Sequence, residues 1–390
     1  MAAPGCLQPD DPARDTSGEV VCDTSVEEGD VFIRNASEAA AHQTTRSIMG
    51  RLFVGELVTD LTLPCLQYAN VMYLAADAEA ALSFSRLESV STFYVGYEYS
   101  ASGDIIELDY DAVREIDAPK LSHIQSLVIR RSNLVDLTGF AALDSLKLLS
   151  LQDNPQLLTT FGLGELSALP DYVTIARNPA LTHIVAPNSD GSSGAPTRLM
   201  VSITENSNLQ TIDAFDGVAL QGAASDAPPA WVRIHTWTNP RLSYLGGFSG
   251  MTRGTIDIIA WDLSVVSAAA MPAITQIVSA TSMILALTDA AAEFSLPNLS
   301  EVSHPSVGLS LIGGAYSTLS LPALASAGAL IVHQNAALDS ISAPLLADVS
   351  QLELVDLPTY RACQAHQLIA ALDAPPAVVK LTGLDPAPCD

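Results

Sequence analysis

The feature that most constrains this chain is an internal repeat made of two alternating phrases. The first reads apolar-x-apolar-x-x-Asn-x-x-Leu. It occurs in full at Leu149–Leu157 (LSLQDNPQL), Val173–Leu181 (VTIARNPAL), Val201–Leu209 (VSITENSNL) and Leu330–Leu338 (LIVHQNAAL), and with two extra residues at Val232–Leu242 (VRIHTWTNPRL). The second reads apolar-x-apolar-Pro-x-apolar-x-x-apolar and occurs at Leu61–Ala69, Ile116–Ile124, Phe294–Val302, Leu319–Ala327 and Ile341–Val349. With the inner apolar residue as marker, Leu121, Leu143 and Leu166 lie 22 and 23 residues apart. Met251, Ile274, Leu299, Leu324 and Leu346 lie 23, 25, 25 and 22 apart.

A period of 21 to 25 residues, apolar alternation of two and Asn, Gly or Pro at the corners predict a mainly β chain coiled as a right-handed parallel β-solenoid. Each coil turns Leu, Ile and Val inward. At the corner, an Asn side chain can satisfy backbone groups and stack on the Asn of the next coil, and Asn tolerates left-handed backbone angles. Amphipathic helices do not fit, because the Pro of the second phrase recurs where a helix needs an interior residue. The uncharged run Leu263–Thr288 is long enough to raise a membrane-span flag. Pro272 and eight Ser, Thr and Gln residues interrupt it, and its apolar positions keep the phase of the repeat.

The pattern resembles the receptor L-domain family, the leucine-rich-repeat-like β-helices of insulin and epidermal growth factor receptor ectodomains and of bacterial surface proteins. The resemblance covers about Cys22 to Cys389. It rests on the early cysteine, the stretch Ile48–Val54 (IMGRLFV), the Asn corners, the Leu-Pro-x-Leu phrase and a close in which Cys363 precedes an Ala- and Leu-rich helix (QAHQLIAAL) and then Cys389. It implies a binding ectodomain of the secreted or surface lipoprotein type. The solenoid here runs longer than one such domain, and no cysteine-rich module or kinase follows it.

Residues 1–19 read as a flexible acidic, Pro-rich tether, 20–362 as the solenoid and 363–390 as a short helical cap. Of the five cysteines, Cys22 and Cys65 sit near the start of the folded part and Cys363 and Cys389 near its end, which favours two terminal bridges and an oxidising compartment. The alternative is a set of buried free thiols. Cys6, left over within the tether, is similar to a lipoprotein attachment cysteine. Such an anchor predicts an exported protein, at the bacterial cell surface (outer-membrane lipoprotein) or extracellular, touching membrane only through Cys6. A net charge of −26 with only three lysines, Lys120, Lys147 and Lys380, excludes nucleic acid and anionic membrane surfaces, which demand cationic patches.

No phosphate loop, zinc-protease motif, Cys-x-x-Cys, nucleophile elbow or EF-hand is present, and the seven histidines are scattered singly. No metal site, cofactor or catalytic residue is expected. The acidic groups Asp109 with Asp111, and Glu27, Glu28 and Asp30, could touch calcium in an extracellular protein, but without a Gly-bearing twelve-residue loop they read as solvated charge. One constellation stands out. Trp231, Trp237 and Trp261 fall within 31 residues with His235 and Tyr244 among them, and aligning Ile234 with Ile258 sets Trp237 over Trp261. These five residues form a candidate platform for a sugar ring or a protein partner, or else a ladder capping the core. The segments 188–197 and 221–230, with 97–104, read as surface loops that lengthen their coils, to about 28 and 31 residues for the first two; they carry either binding variation or neutral insertions. The expected function is non-catalytic recognition of a protein or glycan ligand. The alternative is a glycan-active β-helix enzyme, lyase or hydrolase, which requires carboxylates clustered on consecutive coils.

Overall fold

A computed structural model describes residues 20–22, 24–99, 105–107, 112–189, 198–216, 231–248, 251, 255–263, 270–287 and 293–389 of the chain, the side chains at 98, 99, 105, 107 and 261–263 excepted. The chain forms a parallel β-solenoid of about 13 turns with a short C-terminal helix. One long sheet runs its length and collects the first strand of each coil, while shorter sheets such as Asp60–Thr62 with Ala81–Ser83 and Glu115–Asp117 line the other side. Cys6 and the tether, the acidic pair Asp109 and Asp111, and segments 190–197 and 221–230 lie outside the described residues. Tyr97–Tyr99 pairs antiparallel with Ile105–Glu107 as a hairpin.

Register explains the apolar alternation. Leu127, Leu149, Val173, Val201, Ile234, Ile258 and Met283 stand directly above one another in successive coils, each at most 2% exposed. Burying each such side chain contributes about 1.5–3 kcal/mol before the entropic cost of ordering it. The marker residues Leu121, Leu143, Leu166, Met251, Ile274, Leu299, Leu324 and Leu346 are all buried on the opposite wall of the core. The Pro of the second phrase opens a β-turn: Leu121, Leu324 and Leu346 donate their N–H to the carbonyls of Ala118, Leu321 and Ala343, three residues back. Pro119, Pro322 and Pro344 therefore hold the turn position where a fixed φ is favourable and no N–H is needed.

The corner asparagines form a ladder. Asn154, Asn178, Asn206 and Asn239 are fully buried. Asn178 Oδ1 accepts both the backbone N–H (3.0 Å) and the side-chain amide (2.9 Å) of Asn154, and Asn178 Nδ2 donates to Leu151 O and to Asn206 Oδ1. Asn206 repeats this with Asn239, and Ser132 closes the ladder below Asn154. Asn335 stands apart, accepting from Ala337 and Leu338 N–H within its own turn. The left-handed backbone falls elsewhere than expected. Asp153, Arg177, Glu205, Thr238 and Gln334, each one residue before its Asn, carry φ of +54 to +59°, while the Asn residues do not. The Asn is needed for its amide, and the preceding residue supplies the bend. At that bend Asp153 binds Arg130 (3.0 Å) and Arg177 (2.6 Å), and the Arg177 guanidinium holds its carboxyl below the usual range.

The register also corrects one repeat. Val201 pairs with Ile234, not Val232, so the coil from Asn206 to Asn239 spans 33 residues, and its phrase is Ile234–Leu242 with Thr236 at the second inward position.

Disulfides Cys22–Cys65 and Cys363–Cys389 tie the two ends. At the start, helix Ala36–Ala41 is capped by Asn35, whose side chain accepts from Ser37 and Glu38 N–H. At the end, helix Ala362–Ala370 is followed by strand Val378–Asp385, which adds one more rung to the long sheet. No helix among the described residues is long and apolar enough to cross a membrane.

Replacing Asn178 with Ala removes the buried acceptor of the Asn154 backbone N–H and of one Asn154 side-chain N–H, and the side-chain donor to Leu151 O, while Asn206 Oδ1 keeps the backbone N–H of residue 178; stability is expected to fall by about 3 kcal/mol, read as the shift in urea midpoint.

Candidate ligand-binding face

Strand Trp231–Trp237 alternates by pleat: Val232, Ile234 and Thr236 point into the core, and Trp231, Arg233, His235 and Trp237 point outward. Because neighbouring strands lie about 4.8 Å apart, planar groups at one register position stack from coil to coil. Arg198 pairs with Trp231 across the ladder, and its guanidinium lies 4.9 Å from the Trp231 ring and 4.8 Å from the Tyr172 ring. Arg233 lies 4.6 Å from the Trp231 ring on its own strand. Aromatic and cationic groups so alternate as Tyr172, Arg198, Trp231 and Arg233, at spacings where cation–π attraction operates.

The two arginines differ in their polar partners. Arg233 donates to Asp257 (3.3 Å), whose other oxygen accepts from Ser282 (2.9 Å). Arg198 has no carboxylate partner among the described residues, and its Nη2 contacts only the Met200 sulfur, at 3.2 Å. Its N–H edge is free to meet an anionic or carbonyl group from outside. His235 lies on the same strand with Nε2 buried and without a hydrogen bond. Burial, helped by the Arg233 charge and opposed by Asp257, pushes its imidazole below the ordinary range, so the ring is neutral at pH 7.

The five sequence-derived candidates divide. Trp231, His235 and Trp237 share the outward row, with Trp237 57% exposed. Ile234 pairs with Ile258 as aligned, and the ladder runs as far as Thr236 with Ala260, one step before Trp237 and Trp261; the Trp261 side chain lies outside the described residues. Tyr244 belongs to another sheet, in strand Tyr244–Gly247 beyond the Asn239 corner, paired with Thr211–Ala214. Sequence reading missed Tyr172, Arg198, Arg233 and Asp257. The same pleat that selects Trp231 and His235 selects Arg233, and the alignment of Ile234 with Ile258 sets Asp257 beside it. Arg198 was hidden by the two-residue offset at Val232, which places Met200 opposite Trp231.

A second aromatic array lies nearer the N-terminus. Phe32, Phe53, Tyr73 and Tyr94 stack on four coils with centroids 4.8, 5.0 and 4.9 Å apart and planes within 10°. Phe53 and Tyr73 are only 6% and 5% exposed, so these rings serve each other and brace the outer face of the sheet. Their spacing of 20 or 21 residues was visible in the chain.

Asp30 binds Arg51, whose hydrogen bonds hold its carboxyl low, and Glu27 approaches His42 at 3.8 Å. Among the described residues no three His, Cys, Asp or Glu gather as metal ligands, and no carboxylate pairs in register with another on an adjacent coil. Compared with known proteins, the chain matches no family model, no curated protein and no solved structure.

Thr236, fully buried behind this face between Ile203 and Ala260, has a hydroxyl with no partner among the described residues. Thr236→Val keeps the shape and removes the orphaned group, so stability is expected to rise by about 1 kcal/mol in urea unfolding, with the outward residues undisturbed.

Proposed function

We propose that this protein is an exported, surface-tethered recognition module of receptor L-domain type that binds a protein or glycan ligand without transforming it. The observation that carries the reading is the half-exposed stack of Tyr172, Arg198, Trp231 and Arg233 on the outer face of the long sheet. It concentrates aromatic surface and cationic donors in a chain with 17 Lys and Arg against 43 Asp and Glu. Such side chains dominate the binding energy of recognition surfaces, and a rigid strand presents them already ordered. The two disulfides support passage through an oxidising compartment.

Glycan and secreted-protein arrays probed with the full chain test the binding role. A ligand is expected whose affinity falls about tenfold or more in Arg198→Ala and in Trp231→Ala, with urea midpoints showing that both variants remain folded. Binding that both variants retain removes this face from the function. The tether reading is tested separately by mass spectrometry of the N-terminal peptide from the native host. A diacylglycerol-sized increment on Cys6 is expected, and an unmodified Cys6 thiol refutes the anchor.

A further inference from the structure

On the same long sheet, toward the N-terminus from the aromatic and cationic stack, four consecutive coils form an open groove of about 320 Å³. Tyr68, Ser89, His123 and Ser145 stand in register along it, on the first residues of strands Tyr68–Leu74, Ser89–Val95, His123–Arg130 and Ser145–Gln152. Gln125 and Lys147 complete the lining. The groove follows a gap in strand pairing. Ile124 pairs with Val90 and Leu146, Ser126 pairs with Thr92 and Leu148, and the level between, which holds Ser91, Gln125 and Lys147, carries no ladder pairing.

Its chemistry sets it apart from the rest of this acidic surface. The lining offers hydroxyl, amide, imidazole and ammonium groups and no carboxylate. Lys147, one of three lysines in the chain, is exposed and has no ion-pair or hydrogen-bond partner among the described residues. His123 is held by a 2.7 Å bond between its Nδ1 and Ser122 Oγ, and Ser122 Oγ also reaches the Glu88 carbonyl at 3.3 Å. The ring is thereby oriented, and Nε2 remains available to a ligand. The nearest acids in sequence, Glu88 and Asp144, precede Ser89 and Ser145 at the corner, and neither forms an ion pair with His123 or Lys147 among the described residues.

We propose that this groove binds an acidic sugar: ring hydroxyls meet Ser89, Ser145, Gln125 and His123, the apolar ring face meets Tyr68, and the Lys147 ammonium meets the oxyanion. Its volume lies within the range of small-ligand sites, at the small end, and a single cation beside neutral hydrogen-bonding groups fits a sugar ring that presents one oxyanion to Lys147. The surrounding charge of −26 repels anions that lack this contact, which makes Lys147 the discriminating residue. The inference rests on the recognition role proposed above and assigns it a ligand class and a second contact region.

The test is calorimetric titration of the full chain with trigalacturonate, its methyl ester, and a heparin-derived tetrasaccharide, comparing wild type with Lys147→Met, His123→Ala and Arg198→Ala. At least one acidic probe is expected to bind. If trigalacturonate binds, its ester is expected about tenfold weaker, and binding of the heparin fragment alone identifies sulfate as the oxyanion. Lys147→Met is expected to lower affinity for the acidic probe about tenfold, and rising salt to lower it further in wild type than in the variant. Lys147 and His123 are exposed, so neither variant is expected to move the urea midpoint. The proposal is overturned if neither acidic probe binds, if acid and ester bind alike, or if Lys147→Met binds as wild type does. An acidic ligand lost in Arg198→Ala but kept in Lys147→Met leaves the recognition role standing and removes the groove from it.

Discussion

Everything in this molecule depends on parallel pairing between coils at a spacing of about 4.8 Å. That spacing turns a loose sequence repeat into vertical rows in which each side chain meets its own kind above and below. Where the row points inward, the result is a column of Leu, Ile, Val and Met that excludes water. At the corner it is a chain of amide bonds, each Asn accepting from the Asn before it and donating to the one after. Such a buried polar chain is favourable only when every member is satisfied, so Ser132 at one end and the backbone carbonyls along its length are as necessary as the asparagines.

The same spacing makes the outer face chemically useful. Planar groups at one register position are held near one another by the ladder, and the Arg198 guanidinium carbon lies over the Tyr172 and Trp231 rings without added order from a ligand. The structure spends this property in two ways. Between Phe32 and Tyr94 the rings stack on one another and leave little surface. Between Tyr172 and Arg233 they alternate with cations, one of which, Arg198, keeps its donors unspent on any acid of the described chain. An acidic protein holding on one sheet a guanidinium and an ammonium that pair with no acid among the described residues has a surface suited to select anions that its net charge otherwise repels.

Much of the fold was legible in the chain because burial repeats with a fixed period. Leu121, Leu143 and Leu166, or Leu299, Leu324 and Leu346, report the coil length directly, and Pro119, Pro322 and Pro344 report a turn. The disulfides followed from the placement of four cysteines at two ends. The candidate site was only partly legible. Trp231 and His235 announced themselves by residue type, while Arg198 and Tyr172 depend on coil register across insertions. Tyr244, close to Trp237 in sequence, is carried onto another sheet by the corner at Asn239.

The sequence by itself determined the period, the inward rows, the corner residues and the sign of the surface charge, because each is set by local patterning that repeats from coil to coil. Only the tertiary structure decided which residue bends at each corner, that Thr236 takes an inward position, and that Arg198 lies between Tyr172 and Trp231. Those outcomes hang on register over coils of unequal length, 24, 28 and 33 residues between successive asparagines. Register is settled by the hydrogen-bonded ladder and the burial of whole rows, and a displacement of two residues preserves every local pattern while changing every neighbour.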